Sequence, residues 1–218
     1  MRAASKRIAS PDLYCITDAR LSGMRHEEQV TAMVEGGARL IQIRDKAMTA
    51  AEFALATERC LAICRRSGAL LIVNDRVELA ASIGADGVHI GQGDMMPIKA
   101  RRIMGVKPIV GLSTHNLDQF RRALGEPVDY IAFGPVFGTT TKADADPTVG
   151  LEAVAEVVRL MEGDPRPLVL IGGIDRERLP AVQDAAPYAL IAMIGAIVSG
   201  GQIAQRVREM RAMIVERT

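Results

Sequence analysis

Short apolar runs recur along the chain, and each ends in a polar residue or a glycine that a plain core would not need. Eight of these runs are rich in Leu and β-branched residues, and they are too continuous for strands with one solvated face. We therefore predict parallel strands at residues 13–17, 40–44, 70–74, 87–90, 109–112, 130–133, 168–171 and 188–192. Because ligands bind at the carboxyl ends of such strands, the polar endings mark the expected active site.

Amphipathic stretches of helical period lie between the runs. The segment Thr49-Ala50-Ala51-Glu52 is a capping box that opens a helix running to about Arg66, and Pro97 fits the first turn of another helix. Gly68 and Gly105 stand where helix C-terminal caps are expected. The remaining predicted helices cover residues 27–36, 76–83, 116–124, 151–161, 176–185 and 203–215.

Eight strands alternating with eight helices predict an α/β fold, a single-domain (β/α)8 TIM barrel over residues 11–218 after an N-terminal tail at residues 1–10. The competing architecture is an open doubly wound sheet, which usually carries a glycine-rich fingerprint after its first strand. Here Thr17-Asp18-Ala19-Arg20 follows that strand, so we favour the barrel. The connection at 134–150 is long, polar and Pro/Gly-bearing, and we interpret it as a lid.

Composition narrows the classes of function. The 218 residues are 49% hydrophobic and carry 27 basic and 26 acidic side chains. The net charge of +1 lacks the positive excess that is typical of proteins that bind nucleic acid or an anionic membrane. No apolar stretch reaches membrane-spanning length without glycine or charge, and we see no signal peptide. The three cysteines lack metal-binding spacing, which predicts reduced thiols in a cytoplasmic protein. Homo-oligomerisation is left open.

Three polar side chains alternate with other residues at the end of the second strand. Gln42, Arg44 and Lys46 share one face because strand period is two, and that face should be the barrel lumen or its mouth. Two cations there need an anionic ligand or a carboxylate partner. The alternative interpretation is a structural ion pair with Asp45 or Asp75.

Oxygen-bearing side chains follow the third and fourth strands. Asn74 and Asp75 end the third strand, and Asp94 comes shortly after the fourth. Neighbouring parallel strands bring these loops together, and two converging carboxylates repel each other unless a cation lies between them. Oxygen ligands without nearby cysteine indicate a hard metal, most simply Mg²⁺. Alternatively, Asp94 caps the helix that begins near Pro97.

A second anion site is expected around the sixth to eighth strands. Thr139-Thr140-Thr141-Lys142 offers three hydroxyls and an ammonium to phosphate oxygens. Gly172-Gly173 lets backbone N–H groups approach an anion, and Ile194-Gly195 begins a short helix after the last strand. Phosphate sites commonly lie there in (β/α)8 enzymes. For segment 139–142 the alternative is a solvated polar loop. His89 and His115 lie near strand ends without an assigned role, and His26 is predicted at the surface.

Several of these motifs, in this order, resemble the thiamine phosphate synthase family over nearly the whole chain. The pieces that carry the resemblance are Leu13-Tyr14-Cys15-Ile16-Thr17-Asp18, Gln42-Ile43-Arg44-Asp45-Lys46, Asn74-Asp75, Gly87-Val88-His89-Ile90-Gly91-Gln92-Gly93-Asp94, Gly134-Pro135-Val136-Phe137 with the threonine-lysine segment, and Ile171-Gly172-Gly173-Ile174. The resemblance implies a Mg²⁺-dependent enzyme that joins a hydroxymethylpyrimidine diphosphate to a thiazole phosphate and releases pyrophosphate. Its partners would be these small phosphorylated substrates.

The resemblance also implies roles for individual residues. It assigns the metal to Asp75 and Asp94, and it gives Arg44, Lys46, Lys142 and Ser113 the work of catalysis. The pyrimidine diphosphate would be held by Gln42, Arg44, Lys46, Asn74, Ser113 and Lys142. The thiazole phosphate would be held by Thr139, Thr140, Thr141, Gly173, Ile194 and Gly195. Gly195 departs from the serine that members of the family often place there, so one hydroxyl contact would be missing.

Other functions remain as alternatives. The nearest is a thiazole tautomerase-like isomerase of the same fold, for which Asp75, Asp94 and Lys142 have no evident task and a histidine such as His115 would act as acid or base. Another phosphate-binding barrel isomerase would use Gly173 but would have no use for the face formed by Gln42, Arg44 and Lys46. A non-catalytic binding protein would bind phosphate without turnover.

Overall fold

Eight parallel strands close into a barrel in the computed structural model, which describes residues 8–139 and 146–215. Each strand is only four to six residues long, and most are buried along their whole length, as expected for strands covered on both faces. The strands are β1 (Leu13–Ile16), β2 (Leu40–Ile43), β3 (Leu70–Asn74), β4 (Gly87–Ile90), β5 (Ile109–Thr114), β6 (Tyr130–Phe133), β7 (Leu168–Ile171) and β8 (Leu190–Met193).

Helices connect successive strands on the outside of the barrel. Within the described ranges they are α1 (Ala19–Ser22), α2 (His26–Glu35), α3 (Ala50–Ser67), α4 (Val77–Ser82), α5 (Pro97–Met104), α6 (Leu117–Ala123), α7 (Gly150–Leu160), α8 (Leu179–Ala185), α9 (Gly195–Val198) and α10 (Ile203–Val215). None of these helices combines the length and the apolar character that crossing a membrane requires.

The predicted fold class is confirmed. Each strand pairs in parallel with the next along the chain, and β1 pairs with β8 through Leu13 and Ile191 to complete the ring. The predicted bounds of β3, β4, β6 and β7 match those of the structure. The last strand begins two residues later than expected, because the chain still turns around the exposed Tyr188.

Local capping chemistry sets the bounds of several helices. Thr49 and Glu52 form the predicted capping box of α3, and Gly68 ends that helix in the left-handed conformation. The sequence analysis missed α1, whose N-cap Asp18 accepts a hydrogen bond from the Leu21 amide. Helix α8 begins three residues later than predicted, since Asp175 first holds the Arg178 amide in a turn.

Buried contacts tie the two ends of the chain together at the base of the barrel. The carboxylate of Asp12, just before β1, accepts hydrogen bonds from the Leu13 amide and from the Arg211 guanidinium of α10. Of the predicted tail at residues 1–10, positions 1–7 lie outside the described residues, whereas Ile8 packs into the hydrophobic core. The carboxyl ends of the strands, at the opposite face of the barrel, are not occupied by these contacts and are available to form the site.

Candidate active site

The carboxyl ends of the strands open into one cavity of about 610 Å³. Its walls come from strand ends and the loops that follow them, which is where ligands bind in this architecture. Three predicted residues, Thr140, Thr141 and Lys142, lie outside the described residues. The other predicted site residues all line the cavity: Gln42, Arg44, Lys46, Asn74, Asp75, Asp94, Ser113, Thr139, Gly173, Ile194 and Gly195.

Two cationic side chains stand at the end of β2, each near a carboxylate. The guanidinium of Arg44 lies 4.0 Å from Asp18, the residue that caps α1. The ammonium of Lys46 lies 3.7 Å from the carboxylate of Asp75. Of the two ion-pair partners considered in the sequence analysis, Asp75 thus pairs with Lys46, whereas Asp18 was not anticipated. Both cations still face the cavity and remain able to meet an anion there.

A buried histidine supports the loop that carries these cations. His26 was predicted at the surface, and this was wrong: it is 1% exposed and its ring bridges Thr17 and Asp45 at 2.8 Å and 3.0 Å. Asp45 also accepts hydrogen bonds from the amides of Ala47 and Met48. Partial burial opposes the effect, but these hydrogen bonds lower the pKa of Asp45. Asp45 therefore fixes the turn instead of neutralising Arg44.

The two predicted metal ligands lie side by side. Asp75 adopts a left-handed backbone conformation (φ 61°) at the end of β3, a strained state for a residue other than glycine. The carboxylate of Asp94 accepts a hydrogen bond of 2.7 Å from the Gly91 amide. Helix α5 takes Met96 as its N-cap residue, without a side-chain hydrogen bond, so the alternative role of Asp94 as helix cap is wrong.

The surroundings of Asp75 favour its protonated form. Burial raises the pKa of Asp75 to about 6, the hydrogen bond and the charge of Asp94 add to the shift, and Lys46 and Asn74 oppose it. Among the described residues no group of three or more His, Cys, Asp and Glu could hold a metal ion. A pair of carboxylates whose remaining partners are phosphate oxygens and water is nevertheless a usual setting for Mg²⁺, so the residues present fit that ion.

The loops after β6 and β7 form the opposite wall. The amides of Val136 and Phe137 donate to the carbonyls of Ile171 and Gly172, so the first loop extends alongside β7. A side chain at Gly173 (φ 63°) would place its Cβ 2.5 Å from the Gly138 carbonyl oxygen, hence the need for glycine. Thr139 is thereby brought to the same cavity as Gly173.

Two further polar residues belong to this wall: Arg178, which sequence reasoning missed, and His115, which it left without an assigned role. The guanidinium of Arg178 donates to the Gly173 carbonyl at 2.8 Å and lies over the ring of Phe137 at 5.2 Å. His115 Nδ1 lies 2.7 Å from the Gly134 carbonyl oxygen and 3.5 Å from the carboxylate of Asp146. An arginine in a predicted helix carries no local signal that it faces a ligand, so only the fold could reveal Arg178.

Comparison with known proteins identifies a family whose sequences match this chain. The family model described as thiamine monophosphate synthase matches residues 13–197. The thiamine-phosphate synthase of Chloroflexus aurantiacus is 37% identical over 203 residues, covering 93% of this chain and 92% of its own. The Methanocella arvoryzae enzyme of the same name is 40% identical over 205 residues, covering 93% and 94%.

A solved structure agrees. The thiamine phosphate pyrophosphorylase from Pyrococcus furiosus superposes with a TM-score of 0.83 at 32% identity, covering 94% of this chain and 96% of its own. The barrel, the family model and these relatives together account for nearly the whole chain. The protein belongs to the thiamine monophosphate synthase family of transferases.

Proposed function

We propose that this chain condenses 4-amino-2-methyl-5-hydroxymethylpyrimidine diphosphate with 4-methyl-5-hydroxyethylthiazole phosphate, giving thiamine phosphate and pyrophosphate with Mg²⁺ as cofactor. One observation carries the proposal. Arg44, Lys46 and the carboxyl pair Asp75/Asp94 converge on a single cavity, which is what a metal diphosphate requires.

The cations at the end of β2 are assigned to the diphosphate. Arg44 is 14% exposed and held near Asp18, so its guanidinium is ordered before any ligand arrives. Lys46 is 70% exposed and supplies a more mobile point charge. Gln42 and Asn74 would bind the same substrate through their amides, and Lys142 would join them from the threonine-lysine segment.

Asp75 and Asp94 would hold Mg²⁺. When bound, that ion supplies positive charge against the oxygens of the departing pyrophosphate. The protein's own part is to keep the two carboxylates together at the cavity wall. The hydrogen bond from Gly91 to Asp94 and the left-handed turn at Asp75 do this.

The thiazole phosphate is assigned to the wall opposite. Thr139, Thr140 and Thr141 would donate hydroxyl hydrogen bonds, and the backbone at Gly173, Ile194 and Gly195 would come close to the phosphate. The position of Gly173 supports this, because it lines the cavity in a left-handed conformation and has no side chain between its backbone and a ligand.

The chemistry follows from the placement of charge. The bond between the pyrimidine methylene carbon and the diphosphate oxygen breaks, and both electrons leave with pyrophosphate. The electron-rich aminopyrimidine carries the resulting positive charge, so a dissociative path is favoured. The thiazole nitrogen then forms the new bond with its lone pair. It has no proton to lose, and the step needs no general base. Arg44, Lys46 and Lys142 stabilise the charge on the leaving group.

A direct assay tests the proposal. Purified protein is given both substrates with and without Mg²⁺, and thiamine phosphate and pyrophosphate are measured. We expect equal amounts of the two products, formed only with Mg²⁺. The variant Asp94→Asn should lose Mg²⁺-dependent turnover, whereas Glu58→Gln, on the exposed face of α3, should behave as the parent. Absence of product with Mg²⁺ present would contradict the proposal. Conversion of the thiazole phosphate alone would favour the isomerase alternative instead.

Two broader features complete the proposal. The cysteines Cys15, Cys60 and Cys64 are free and buried, which supports a reducing, cytoplasmic location. Burial raises the pKa of Cys64 to about 12, so its thiol stays protonated and unreactive. The oligomeric state is left open by the sequence, and sedimentation or light scattering would measure it.

A further inference from the structure

A chain of hydrogen-bonding side chains crosses the barrel and ends at Ser113. Its members lie on five different strands, β1, β2, β4, β5 and β6, and all but Ser113 are buried. The contacts are Gln42 Nε2 to Tyr14 Oη at 2.7 Å, Tyr14 Oη to Tyr130 Oη at 3.0 Å, Tyr130 Oη to His89 Nδ1 at 2.8 Å, and His89 Nε2 to Ser113 Oγ at 2.7 Å.

Strand register makes this chain possible. Gly111 of β5 is the direct neighbour of His89 on one side and of Tyr130 on the other. A Cβ at Gly111 would overlap the Tyr130 ring, so the glycine leaves the space into which that ring leans. The ring then stacks on His89 with centroids 5.5 Å apart and planes 13° apart. The contact between Tyr130 and His89 therefore depends on strand register and on the glycine at position 111.

The hydrogen bonds along this row of side chains share one donor-to-acceptor direction, which is set at Gln42. An amide nitrogen only donates, so Tyr14 accepts from Gln42, and its own proton is then available for Tyr130 Oη, the hydrogen-bond partner on its other side. With Tyr14 as donor, the proton of Tyr130 is directed to its other partner, Nδ1 of His89 at 2.8 Å. A neutral imidazole that accepts at Nδ1 carries its proton on Nε2, and it donates that proton to Ser113 Oγ.

Burial keeps the direction stable. It raises the pKa of Tyr14 and of Tyr130 well above the ordinary value, so both phenols keep their protons and each remains a single donor. Ser113 Oγ is thus engaged as an acceptor on its inner side. Its own hydroxyl proton remains for an acceptor in the cavity that Ser113 lines.

We propose that Tyr14, Tyr130 and His89 are positioning residues that hold the Ser113 hydroxyl as a donor toward the pyrimidine diphosphate. The inference deepens the proposed function and rests on it for the identity of the ligand. None of the three needs to touch the reacting atoms. Their effect is to choose one of two hydroxyl orientations, since the reversed chain would turn the Ser113 proton inward onto His89.

The imidazole protonation state tests the direction without any substrate. Nitrogen-15 NMR distinguishes a proton on Nε2 from one on Nδ1, and the His89 signals are identified by their loss in His89→Gln. We expect the Nε2–H form in the metal-free parent protein. In Tyr130→Phe the donor to Nδ1 is gone, so we expect the His89 signals to move toward a mixture of both forms.

Kinetics test the consequence. Tyr130→Phe should lower kcat about tenfold, the equivalent of one ordinary hydrogen bond, with little change in KM for the pyrimidine diphosphate. Tyr14→Phe, one link further away, should have a smaller effect in the same direction. Tyr188→Phe is the matched control, because it removes the same hydroxyl from a side chain that is 73% exposed, and it should leave kcat unchanged.

The outcomes separate this inference from the proposed function. An Nδ1–H form of His89 in the parent protein would overturn the direction, whatever the enzyme does. A Tyr130→Phe variant that is folded and turns over like Tyr188→Phe would overturn the positioning role. If Tyr130→Phe fails to fold, the kcat of Tyr14→Phe and the nitrogen-15 spectrum of the parent protein still test the proposal. A parent protein with the Nε2–H form but no thiamine phosphate production would contradict the proposed function and leave the hydrogen-bond direction standing.

Discussion

Asp75 shows at the scale of one residue how a site opposes stability. Its backbone occupies a region that costs a residue other than glycine on the order of 1 kcal/mol, and its carboxyl lies against that of Asp94. Each feature destabilises the metal-free protein. Both make sense where two carboxylates must be held ready for a cation.

The variant Asp75→Asn should therefore stabilise the metal-free protein while abolishing Mg²⁺-dependent turnover. We expect a gain on the order of 1 kcal/mol at pH 7.5, well below the full equivalent of the pKa shift because the carboxyl is partly exposed. Urea unfolding measures it. Glu58→Gln, which removes an exposed charge outside the cavity, should change neither quantity.

The same carboxyl predicts a pH dependence. Asp75 binds its proton more tightly in the folded protein, with a pKa of about 6, than at its ordinary value of 3.8. The contribution of Asp75 to the free energy of unfolding therefore falls as the pH rises from about 4 to about 6. Below that window the protonated group no longer repels Asp94. The stability difference between the parent and Asp75→Asn should shrink accordingly, and a constant difference from pH 4 to 8 would contradict this account.

At the scale of elements, the connection from β2 to α3 presents the cations. Its shape depends on His26 of α2, on Asp45, and on the capping box that opens α3. The connection thus has two separable tasks. The contacts of Asp45 orient the part that faces the cavity, whereas those of Thr49 stabilise the helix start.

Two substitutions should separate these tasks. Asp45→Ala removes the turn contacts, so we expect KM for the pyrimidine diphosphate to rise about tenfold through loss of ordered cation placement. Thr49→Ala removes the helix cap and should lower the free energy of unfolding by about 1 kcal/mol with KM unchanged. Steady-state kinetics and urea unfolding on both variants give the comparison. Equal effects on KM would show that the connection acts as one unit.

Glycine in the loop after β7 is a second element-scale feature. Gly173→Ala must displace the Gly138 carbonyl and strain a left-handed backbone, so the two loops of this wall should separate. We expect KM for the thiazole phosphate to rise more than KM for the pyrimidine diphosphate. Gly93→Ala is the control at the same face, since a Cβ there meets no atom within 4 Å. A uniform rise in both KM values for Gly173→Ala would argue against separate subsites.

At the scale of the whole molecule, the barrel divides stability from function between its two ends. The base joins the first strand to the last helix through Asp12, which is 4% exposed, and Arg211. The mouth gathers the charged side chains. Neither Asp12 nor Arg211 lines the cavity, so substitutions at this contact should affect folding only.

Arg211→Met tests that division. It leaves the buried Asp12 carboxylate without its cation, and we expect the free energy of unfolding to fall by about 2 kcal/mol. The kcat of the folded fraction should match that of the parent. Arg208→Met on the exposed side of the same helix is the control and should cost little. A lower kcat with unchanged stability would place the effect of Arg211 at the mouth.

Sequence alone determined the alternation of strands and helices, the barrel, and the set of strand ends that meet at one face, because these depend on local periodicity and on parallel topology. Strand placement also predicted that polar residues at strand ends, such as Gln42, Asn74 and Gly173, would meet at one cavity. Only the tertiary structure decided the partners: Arg44 with Asp18, the buried His26 with Asp45, Arg178 beside Gly173, and Tyr130 in the space left by Gly111. These contacts join residues far apart along the chain or depend on the absence of a side chain, and no local pattern encodes which distant group fills a given space.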